Sequence, residues 1–190
     1  IVVSFIGLIL LVPITAIVAI AIKLDSSGRV FARLKRVGKG GRVFTLYKFR
    51  SMVPNAHTLK PAIMNYNERP DGPLFKMKND PRITRIGRIL RKLSIDELPQ
   101  LWNVLIGEMS LVGPRPHEPE EVMQYPPSFK SLVGIKPGMT GSAQVSGRSN
   151  LPFNEEAAID LYYIEHWSLG LDLQILLKTM LVIFKFSDAA

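Results

Sequence analysis

The sequence predicts an α+β protein that is predominantly α-helical, with an N-terminal membrane helix, a small β-hairpin and a helical core joined by long loops. Three observations support this fold class. Residues 1–22 are continuously apolar, a glycine-rich turn separates two short strands before residue 50, and apolar residues recur at spacings of three and four after residue 80. The 190 residues suffice for one domain with a hydrophobic core, which we place at residues 23–190.

The N-terminal segment, residues 1–22, contains no charged side chain. As a helix it would extend about 33 Å, the thickness of a bilayer core. Pro13 removes a helix hydrogen bond in its middle, so we expect a break there. The residues leave two paths open: a spanning helix that tolerates proline, and a re-entrant helix that returns to its starting side. A signal peptide is disfavoured because the apolar stretch continues into Lys23 without a cleavage site.

Charge and composition restrict the partners of the chain. A net charge of +8 combined with 47% hydrophobic residues indicates an anionic partner and lipid together. The absence of cysteine excludes disulfides and thiolate metal sites, and three scattered histidines show no zinc spacing, which leaves oxygen-ligated Mg²⁺ open. Eight basic and no acidic residues lie between Arg29 and Arg50, so this side of the membrane should be the cytoplasm.

Two elements are predicted between the membrane helix and residue 81. A turn at residues 38–41 followed by the period-two stretch 43–47 indicates a β-hairpin, which would carry Lys48 and Arg50 together. Residues 54–81 are rich in proline, asparagine and glycine, so we expect a long loop with one short helix near Ala56 to Tyr66.

Helical periodicity begins after residue 81. The first helix carries an arginine at every third position, namely Arg82, Arg85, Arg88 and Arg91. A second helix is predicted from Ser94, whose side chain would cap it, to Gly107, which would end it. Further helices are predicted over residues 154–166 and 169–186, and the last one is amphipathic, suited to the membrane surface or to the core.

Two proline-rich or glycine-rich segments, MSLVGPRPHEPEE and GIKPGMTGSAQVSGR, must be irregular loops. Such loops commonly bind ligands. The first carries Arg115 between Pro114 and Pro116, which restrict its backbone, and the second carries Gln144 and Arg148.

Asp96 and Glu97 are the candidate site of chemistry. The same residues also read as an ordinary helix capping box, so the pair alone is a weak signal. A carboxylate that attacks a diphosphate meets a repulsion of about 4 kcal/mol per charge pair at 4 Å and an effective dielectric near 20. Nearby cations must offset this repulsion, and Mg²⁺ held partly by Glu97 would contribute. The candidate cations are Lys48, Arg50, Arg88, Arg91 and Arg115.

Each of these cations also has a simpler interpretation. Arginines at a spacing of three usually form a solvated face, and basic residues beside a membrane segment commonly meet lipid headgroups. Arg115 fits these interpretations least well, because its rigid backbone reduces the entropy lost on binding phosphate. We therefore favour Arg115 over Arg88.

Four segments together resemble the bacterial sugar transferase family, the monotopic phosphoglycosyl transferases. They are KFRSM, IDELPQLWNVLIGEMSLVGPRP, GMTGSAQVSGR and DLYYIEHWSLGLDLQIL. The resemblance covers about residues 1–187, and the order and spacing of the segments are highly specific. The passage PLFKMKNDPRITRIGRILRKLSIDELPQ is similar to longer members with further membrane helices and another domain upstream, so we expect the full protein to extend before Ile1.

The resemblance implies transfer of a sugar 1-phosphate from a UDP-sugar to polyprenyl (undecaprenyl) phosphate, the first membrane step of exopolysaccharide, capsule or O-antigen synthesis. It implies an inner-membrane location with the active site facing the cytosol. Asp96 would form a covalent phosphosugar intermediate and release UMP, while Glu97 would bind Mg²⁺ and assist proton removal. Lys48, Arg91 and Arg115 match the family's phosphate-binding cations, and the site region extends to Arg50, Pro114, Gln144, Arg148 and Asp160.

The resemblance also bears on the membrane segment and the partners. The family's segment is re-entrant and broken at a proline that often follows serine, whereas Val12 precedes Pro13 here, so Pro13 must break the helix without serine. The implied partners are the UDP-sugar, polyprenyl phosphate and the bilayer, and a homodimer stays open.

Two rival functions explain part of the sequence. A membrane-tethered basic module that binds anionic lipid or nucleic acid would account for the charge and the anchor, but not for the acidic pair beside the rigid GPRP segment. No nucleic-acid-binding signature is present, so we expect no nucleic acid partner. A structural subunit of an envelope complex would tolerate neutralisation of both carboxylates.

Overall fold

The computed structural model describes residues 1–69, 71–147 and 151–184, so Arg148 lies outside the described residues. It is 55% helical with a small antiparallel hairpin, which confirms the predicted α+β class. The helices and strands are α1 (Val2–Asp25), β1 (Phe31–Val37), β2 (Val43–Phe49), α2 (Ala56–Leu59), α3 (Arg85–Lys92), α4 (Gln100–Leu105), β3 (Ser110–Val112), α5 (Pro119–Val122), β4 (Gly138–Thr140), α6 (Ser142–Ser146), α7 (Phe153–Glu165) and α8 (Leu169–Phe184).

Helix α1 is apolar and largely exposed. Its buried residues are Ser4, Leu11, Val18 and Ile22, whose spacing places them on one face. This face packs on α3 and α4, and the helix is long and apolar enough to cross a membrane. The helix continues through Pro13, where a break was predicted, and packing on both sides of the proline can offset the missing hydrogen bond. The re-entrant path stays a prediction.

Strands β1 and β2 form the predicted hairpin, paired antiparallel from Phe31 opposite Phe49 to Val37 opposite Val43. A tight turn at Lys39–Gly41 joins them. Because side chains alternate along a strand, Lys48 lies on the same face of β2 as the buried residues Phe44 and Leu46. This face packs on α4, so Lys48 is directed towards the segment that precedes that helix.

Helices α3 and α4 are joined by a sharp turn that contains Asp96. Ser94 has φ 55°, and a single 3₁₀ turn, Ile95–Glu97, follows it. The predicted capping role of Ser94 is wrong, because a capping residue needs an extended backbone to aim its side chain at the first helical N–H groups. Gly107 has φ 83° just beyond α4, as expected of a residue that ends a helix.

The second half of the chain is built on a short parallel pair, β3 and β4, covered by α7 and α8. Helix α8 has two faces: Ile175 is buried, whereas Leu173 and Leu177 are exposed by more than 60%. The loop predicted between residues 54 and 81 is present and contains α2 and a 3₁₀ helix, Pro61–Tyr66.

Candidate active site

Asp96 and Glu97 lie at the wall of an open cavity of about 970 Å³, near the upper end of the range for ligand pockets. Asp96 is buried, with 5% of its surface exposed. The Lys48 Nζ atom lies 2.6 Å from Glu97 Oε1 and 3.9 Å from Asp96 Oδ2. One strand residue therefore forms ion pairs with both carboxylates of the turn, the closer one with Glu97.

Two arginines complete the positive surroundings of the acidic pair. Arg115 Nη2 lies 3.6 Å from Glu97 Oε1. Arg91 is held by a hydrogen bond from its Nε to Ser51 Oγ, 2.9 Å long, and its charge acts on Asp96. The structure thus brings together the three cations whose roles the family resemblance implied.

The two carboxyl groups differ in their affinity for protons. Burial raises the pKa of Asp96, and the adjacent charge of Glu97 adds to this effect, so the pKa stays above its ordinary value although Lys48 opposes the shift. Burial also raises the pKa of Glu97, but Lys48 and Arg115 outweigh it and lower that pKa to about 2. Glu97 therefore carries its negative charge at any physiological pH, while Asp96 is the more basic carboxylate.

Arg115 is positioned by its backbone. Gly138 N–H donates to the carbonyl of Pro114 at 2.9 Å, and a Cβ atom on Gly138 would lie 2.2 Å from the backbone nitrogen of Gly113. Only glycine fits this crossing, so the GPRP loop lies directly beside β4. Asp160 accepts hydrogen bonds from the backbone N–H groups of Arg115 and Ala143.

Asp160 is therefore a positioning residue outside the large cavity. It is buried and lines a small void behind Arg115 instead of the large cavity. Burial raises its pKa from 3.8 to about 7. Pro114, also buried, lines the same void. Both residues position the loop that carries Arg115.

The other predicted site residues differ in placement. Gln144 lines the cavity, donates through Nε2 to the Met139 carbonyl at 3.2 Å, and has no described partner for Oε1. Arg50 also lines the cavity, but its guanidinium donates to the carbonyls of Ser26 and Ser27 and so holds the end of α1. Arg88 is exposed on α3 and does not line the cavity.

Sequence reasoning missed Asn103, which connects strand β2, where Lys48 lies, with helix α4, which follows Glu97. This fully buried residue on α4 accepts from Tyr47 N–H at 3.1 Å and donates to the Thr45 carbonyl at 2.8 Å. It therefore fixes β2, and with it Lys48, against the helix that follows Glu97. An asparagine within an apolar helical stretch was the available signal.

Sequence reasoning also missed a buried ion pair that lines the same cavity. Arg69 Nη1 donates to Glu156 Oε2 at 2.9 Å, and both residues line the cavity. Arg69 stands in a loop without periodicity and Glu156 in the first turn of a helix, where acids are common, so neither was conspicuous.

Within the described residues, no group of three or more His, Cys, Asp or Glu side chains could hold a metal ion. A closed site made of protein ligands alone is therefore not formed there. Mg²⁺ is commonly bound by one or two carboxylates together with substrate phosphates, and the pair Asp96 and Glu97 fits that donor set.

Comparison with known proteins identifies the family of this chain. A family model described as bacterial sugar transferase matches residues 1–186. The chain belongs to the bacterial sugar transferase family, which confirms the resemblance drawn from the four segments.

Similar curated proteins include enzymes named for sugar phosphate transfer. The UDP-galactose-lipid carrier transferase of Erwinia amylovora is 43% identical over 183 residues, which cover 95% of this chain and 38% of that protein. The undecaprenyl-phosphate glucose phosphotransferase of Komagataeibacter xylinus is 41% identical over 191 residues, 93% of this chain and 33% of that protein.

A shorter relative is matched over most of its length. The exopolysaccharide production protein ExoY of Rhizobium meliloti is 37% identical over 180 residues, covering 92% of this chain and 79% of that protein. The chain therefore spans 38% and 33% of the length of the first two relatives and 79% of the shorter one.

Proposed function

We propose that this chain transfers a sugar 1-phosphate from a UDP-sugar to a polyprenyl phosphate, with Asp96 as the nucleophile. The observation that carries the proposal is the pair of carboxylates, Asp96 buried and Glu97 half-buried, beside Lys48, Arg91 and Arg115 at the wall of one cavity. The relatives named above act, by their names, on UDP-galactose or undecaprenyl phosphate. The exposed apolar helix α1 is consistent with a membrane location.

In the first step, an Asp96 carboxylate oxygen attacks the phosphorus that bears the sugar. The bond between this phosphorus and the bridging oxygen breaks, and UMP leaves with the bond's electron pair. The raised pKa of Asp96 makes it a stronger nucleophile than an ordinary aspartate, provided that it is ionised. Lys48, Arg91 and Arg115 offset the repulsion between attacking and attacked anions.

In the second step, a phosphate oxygen of the polyprenyl carrier attacks the same phosphorus. The bond to Asp96 breaks, which restores the carboxylate and leaves a sugar diphosphate linked to the lipid. Atoms and charges balance without an oxidant or a reductant. The mechanism thus consists of two successive displacements at one phosphorus. The leaving group is UMP in the first and Asp96 in the second.

Mg²⁺ would be held by Glu97, with Asp96 beside it, and by the phosphates of the donor. Bound there, the ion would neutralise negative charge on the transferring phosphate. The permanently ionised state of Glu97 suits a magnesium ligand, because a protonated carboxyl binds the ion poorly. Glu97 Oε1 also accepts from Lys48, so this carboxylate orients the lysine as well.

We also propose that the active site faces the cytosol at the inner membrane, where UDP-sugars are available. The basic stretch from Arg29 to Arg50 begins just after α1, and Arg50 bonds to the end of that helix. These contacts support a cavity within reach of a carrier phosphate at the headgroup level.

The test separates binding from chemistry by replacing Asp96→Asn in the full-length protein in lipid nanodiscs. We expect UMP release from a UDP-sugar to fall at least 1000-fold, an order-of-magnitude estimate typical of a lost nucleophile. Without polyprenyl phosphate, the unmodified protein should release about one UMP per site and show a phosphosugar adduct on Asp96 by mass spectrometry. UMP release at the normal rate by the variant would overturn the role of Asp96.

Running this assay with UDP-glucose, UDP-galactose and N-acetylated UDP-sugars identifies the sugar. If the chain were instead a membrane-bound binding module, Asp96→Asn and Glu97→Gln would leave vesicle binding unchanged. Neither the unmodified protein nor the variants would then consume a UDP-sugar. Arg42→Gln, on the exposed hairpin turn, serves as the control for a lost surface charge.

A further inference from the structure

We propose that Arg69 binds the nucleotide-side phosphate of the donor, the phosphate that leaves with UMP. This inference rests on the function proposed above and adds a residue that lies outside every motif identified in the sequence. Arg69 is in the long loop between β2 and α3, far along the chain from Asp96.

Arg69 is buried yet has donors without acceptors. Its side chain is 9% exposed, and Nη1 donates to Glu156. Among the described residues, neither Nε nor Nη2 has a hydrogen-bond partner. The carboxylate of Asp71 lies 3.9 Å from Nε, beyond hydrogen-bond distance, and already accepts from the backbone N–H of Phe153. Buried unpaired donors are costly, so a group that accepts from them should bind well.

The loop that carries Arg69 is organised by one side chain. Asn67 Oδ1 accepts from the backbone N–H groups of Arg69 and Lys76, and Nδ2 donates to the carbonyls of Arg69 and Leu74. These bonds use the whole capacity of the amide. A Cβ atom on Gly72 would lie 2.6 Å from the Phe153 side chain, so the loop also packs closely on the start of α7. Arg69 is therefore held in place before any ligand binds.

Arg115 connects Arg69 with the acidic pair. Arg115 Nη2 lies 3.6 Å from Glu97 Oε1, and the charge of Glu156 also stabilises the guanidinium. Glu156 is the carboxylate that binds Arg69. Glu156 Oε1 also lies 3.8 Å from Nε2 of His117, in the same loop as Arg115. Contacts through Glu97 and Glu156 therefore link the cations of the cavity in the order Lys48, Arg115, Arg69.

This order matches the chemistry of a diphosphate. The phosphate attacked by Asp96 must lie among the cations nearest to that residue, Lys48 and Arg91. The second phosphate then lies farther along the wall, where Arg69 has free donors. A guanidinium binds phosphate oxygens through paired N–H groups, which makes Arg69 the better-suited ligand there than a lysine.

The experiment measures equilibrium binding of UMP and of uridine to the full-length protein in nanodiscs by calorimetry, which needs no turnover. Arg69→Gln should weaken UMP binding about tenfold to a hundredfold, the range for a hydrogen bond to a charged group. Uridine lacks phosphate, so its binding should not change. Arg42→Gln is the matched control, and thermal unfolding checks that each variant is folded.

A second variant distinguishes phosphate binding from a purely structural ion pair. Glu156→Gln still accepts a hydrogen bond from Arg69 but removes the negative charge, so UMP should bind as tightly as before or more tightly. If Arg69 served only to pair with Glu156, Arg69→Gln and Glu156→Gln would both lose stability. UMP would then bind to both variants with the affinity of the unmodified protein. Arg69→Lys keeps the charge without the paired geometry, and we expect an intermediate affinity.

The outcomes separate the two proposals. Equal UMP affinity in Arg69→Gln and the unmodified protein would overturn the role of Arg69 alone, and would indicate that solvent satisfies its donors. Failure of the unmodified protein to bind UMP at all would instead overturn the nucleotide donor proposed for the whole site.

Discussion

Asp96 and Glu97 are adjacent in the chain but differ in pKa because they differ in burial and in their distances to the nearby cations. Lys48 lies 2.6 Å from a Glu97 oxygen and 3.9 Å from an Asp96 oxygen, and Arg115 also contacts Glu97. The better-paired carboxylate therefore holds a permanent charge, and the more deeply buried one stays basic. This difference suits the separate roles of metal ligand and nucleophile that we propose.

Lys48→Met should move the acid limb of the pH-rate profile to higher pH. Lys48 lowers the pKa of both carboxyls, so its removal raises the pKa of Asp96 further above the ordinary value. Because the nucleophile must be ionised, activity is lost as pH falls through this raised pKa. We expect the neutral-pH rate to fall about tenfold to a hundredfold.

The measurement is UMP release between pH 5 and pH 9, with values chosen to span the expected limb. Lys48→Arg keeps the positive charge and should retain the original limb. An unchanged limb in Lys48→Met would contradict the electrostatic coupling between Lys48 and Asp96.

Asp160→Asn should change how stability depends on pH. The pKa of Asp160 rises from 3.8 to about 7 on folding, so the folded protein binds a proton that the unfolded chain has released between these values. Stability of the unmodified protein therefore falls as pH rises through this window, and that loss is absent in the variant.

The midpoint of thermal unfolding, measured at pH 5 and pH 8, tests this sign. The difference in unfolding midpoint, Asp160→Asn minus the unmodified protein, should be larger at pH 8 than at pH 5. Glu165→Gln, exposed at the end of the same helix, is the control. A pH-independent difference between Asp160→Asn and the unmodified protein would contradict the proposed burial cost.

At the scale of elements, the hairpin and the α3–α4 turn create the site by packing on one another. Gly87 of α3 approaches the carbonyl of Ser51, and Ser51 in turn accepts a hydrogen bond from Arg91. Asn103 of α4 holds β2 through two hydrogen bonds. The distance between Lys48 and the acidic pair is therefore set by contacts that lie outside the site itself.

Gly87→Ala should destabilise the protein by about 1–3 kcal/mol, the usual cost of overpacking. A Cβ atom at this position would lie 1.9 Å from the Ser51 carbonyl oxygen, so α3 must move away. Activity should fall with it, because Arg91 loses its contact with Ser51. Chemical denaturation and UMP release measure the two effects.

Gly170→Ala is the matched control, since the nearest described atom lies 3.9 Å from the added methyl group. It should be neutral or stabilise by up to about 1 kcal/mol, because alanine favours a helix. Destabilisation equal to that of Gly87→Ala would exclude the close approach as the cause.

At the scale of the whole molecule, the cavity is connected to the apolar helix α1. Asp25 at the end of α1 accepts from the Ile86 N–H at 2.9 Å, and Arg50 donates to the two carbonyls that follow. Any displacement of α1 would therefore reach α3 and the hairpin. The exposed apolar faces of α1 and α8 are surfaces that lipid could cover.

The path of α1 can be tested by labelling, because the chain contains no cysteine. Val2→Cys and Leu24→Cys introduce single thiols at positions exposed by 71% and 84%. If the helix is re-entrant, a membrane-impermeant reagent added to the cytosolic face should label both positions. Labelling of the two positions from opposite faces would establish a spanning helix.

Much of the fold was predictable because it depends on local patterns. The apolar segment before Lys23 and the glycine turn at residues 38–41 each determine an element through neighbouring residues. The family segments also identified Asp96 and its cations. The capping role of Ser94 was predicted wrongly because its backbone is left-handed at the sharp turn between α3 and α4, which no local pattern reveals.

The sequence by itself determined the apolar N-terminal helix, the hairpin, the acidic pair and the family, since these depend on composition, spacing and motif order. Only the tertiary structure separated the basic residues that line the cavity from those that do not. Arg88 and Arg91 occur in one helical repeat, yet only Arg91 lines the cavity, and Arg69 reaches it from a loop without any pattern. The physical reason is that the field at a buried carboxylate falls steeply with distance and depends on burial, and both are set by packing between segments far apart in the chain.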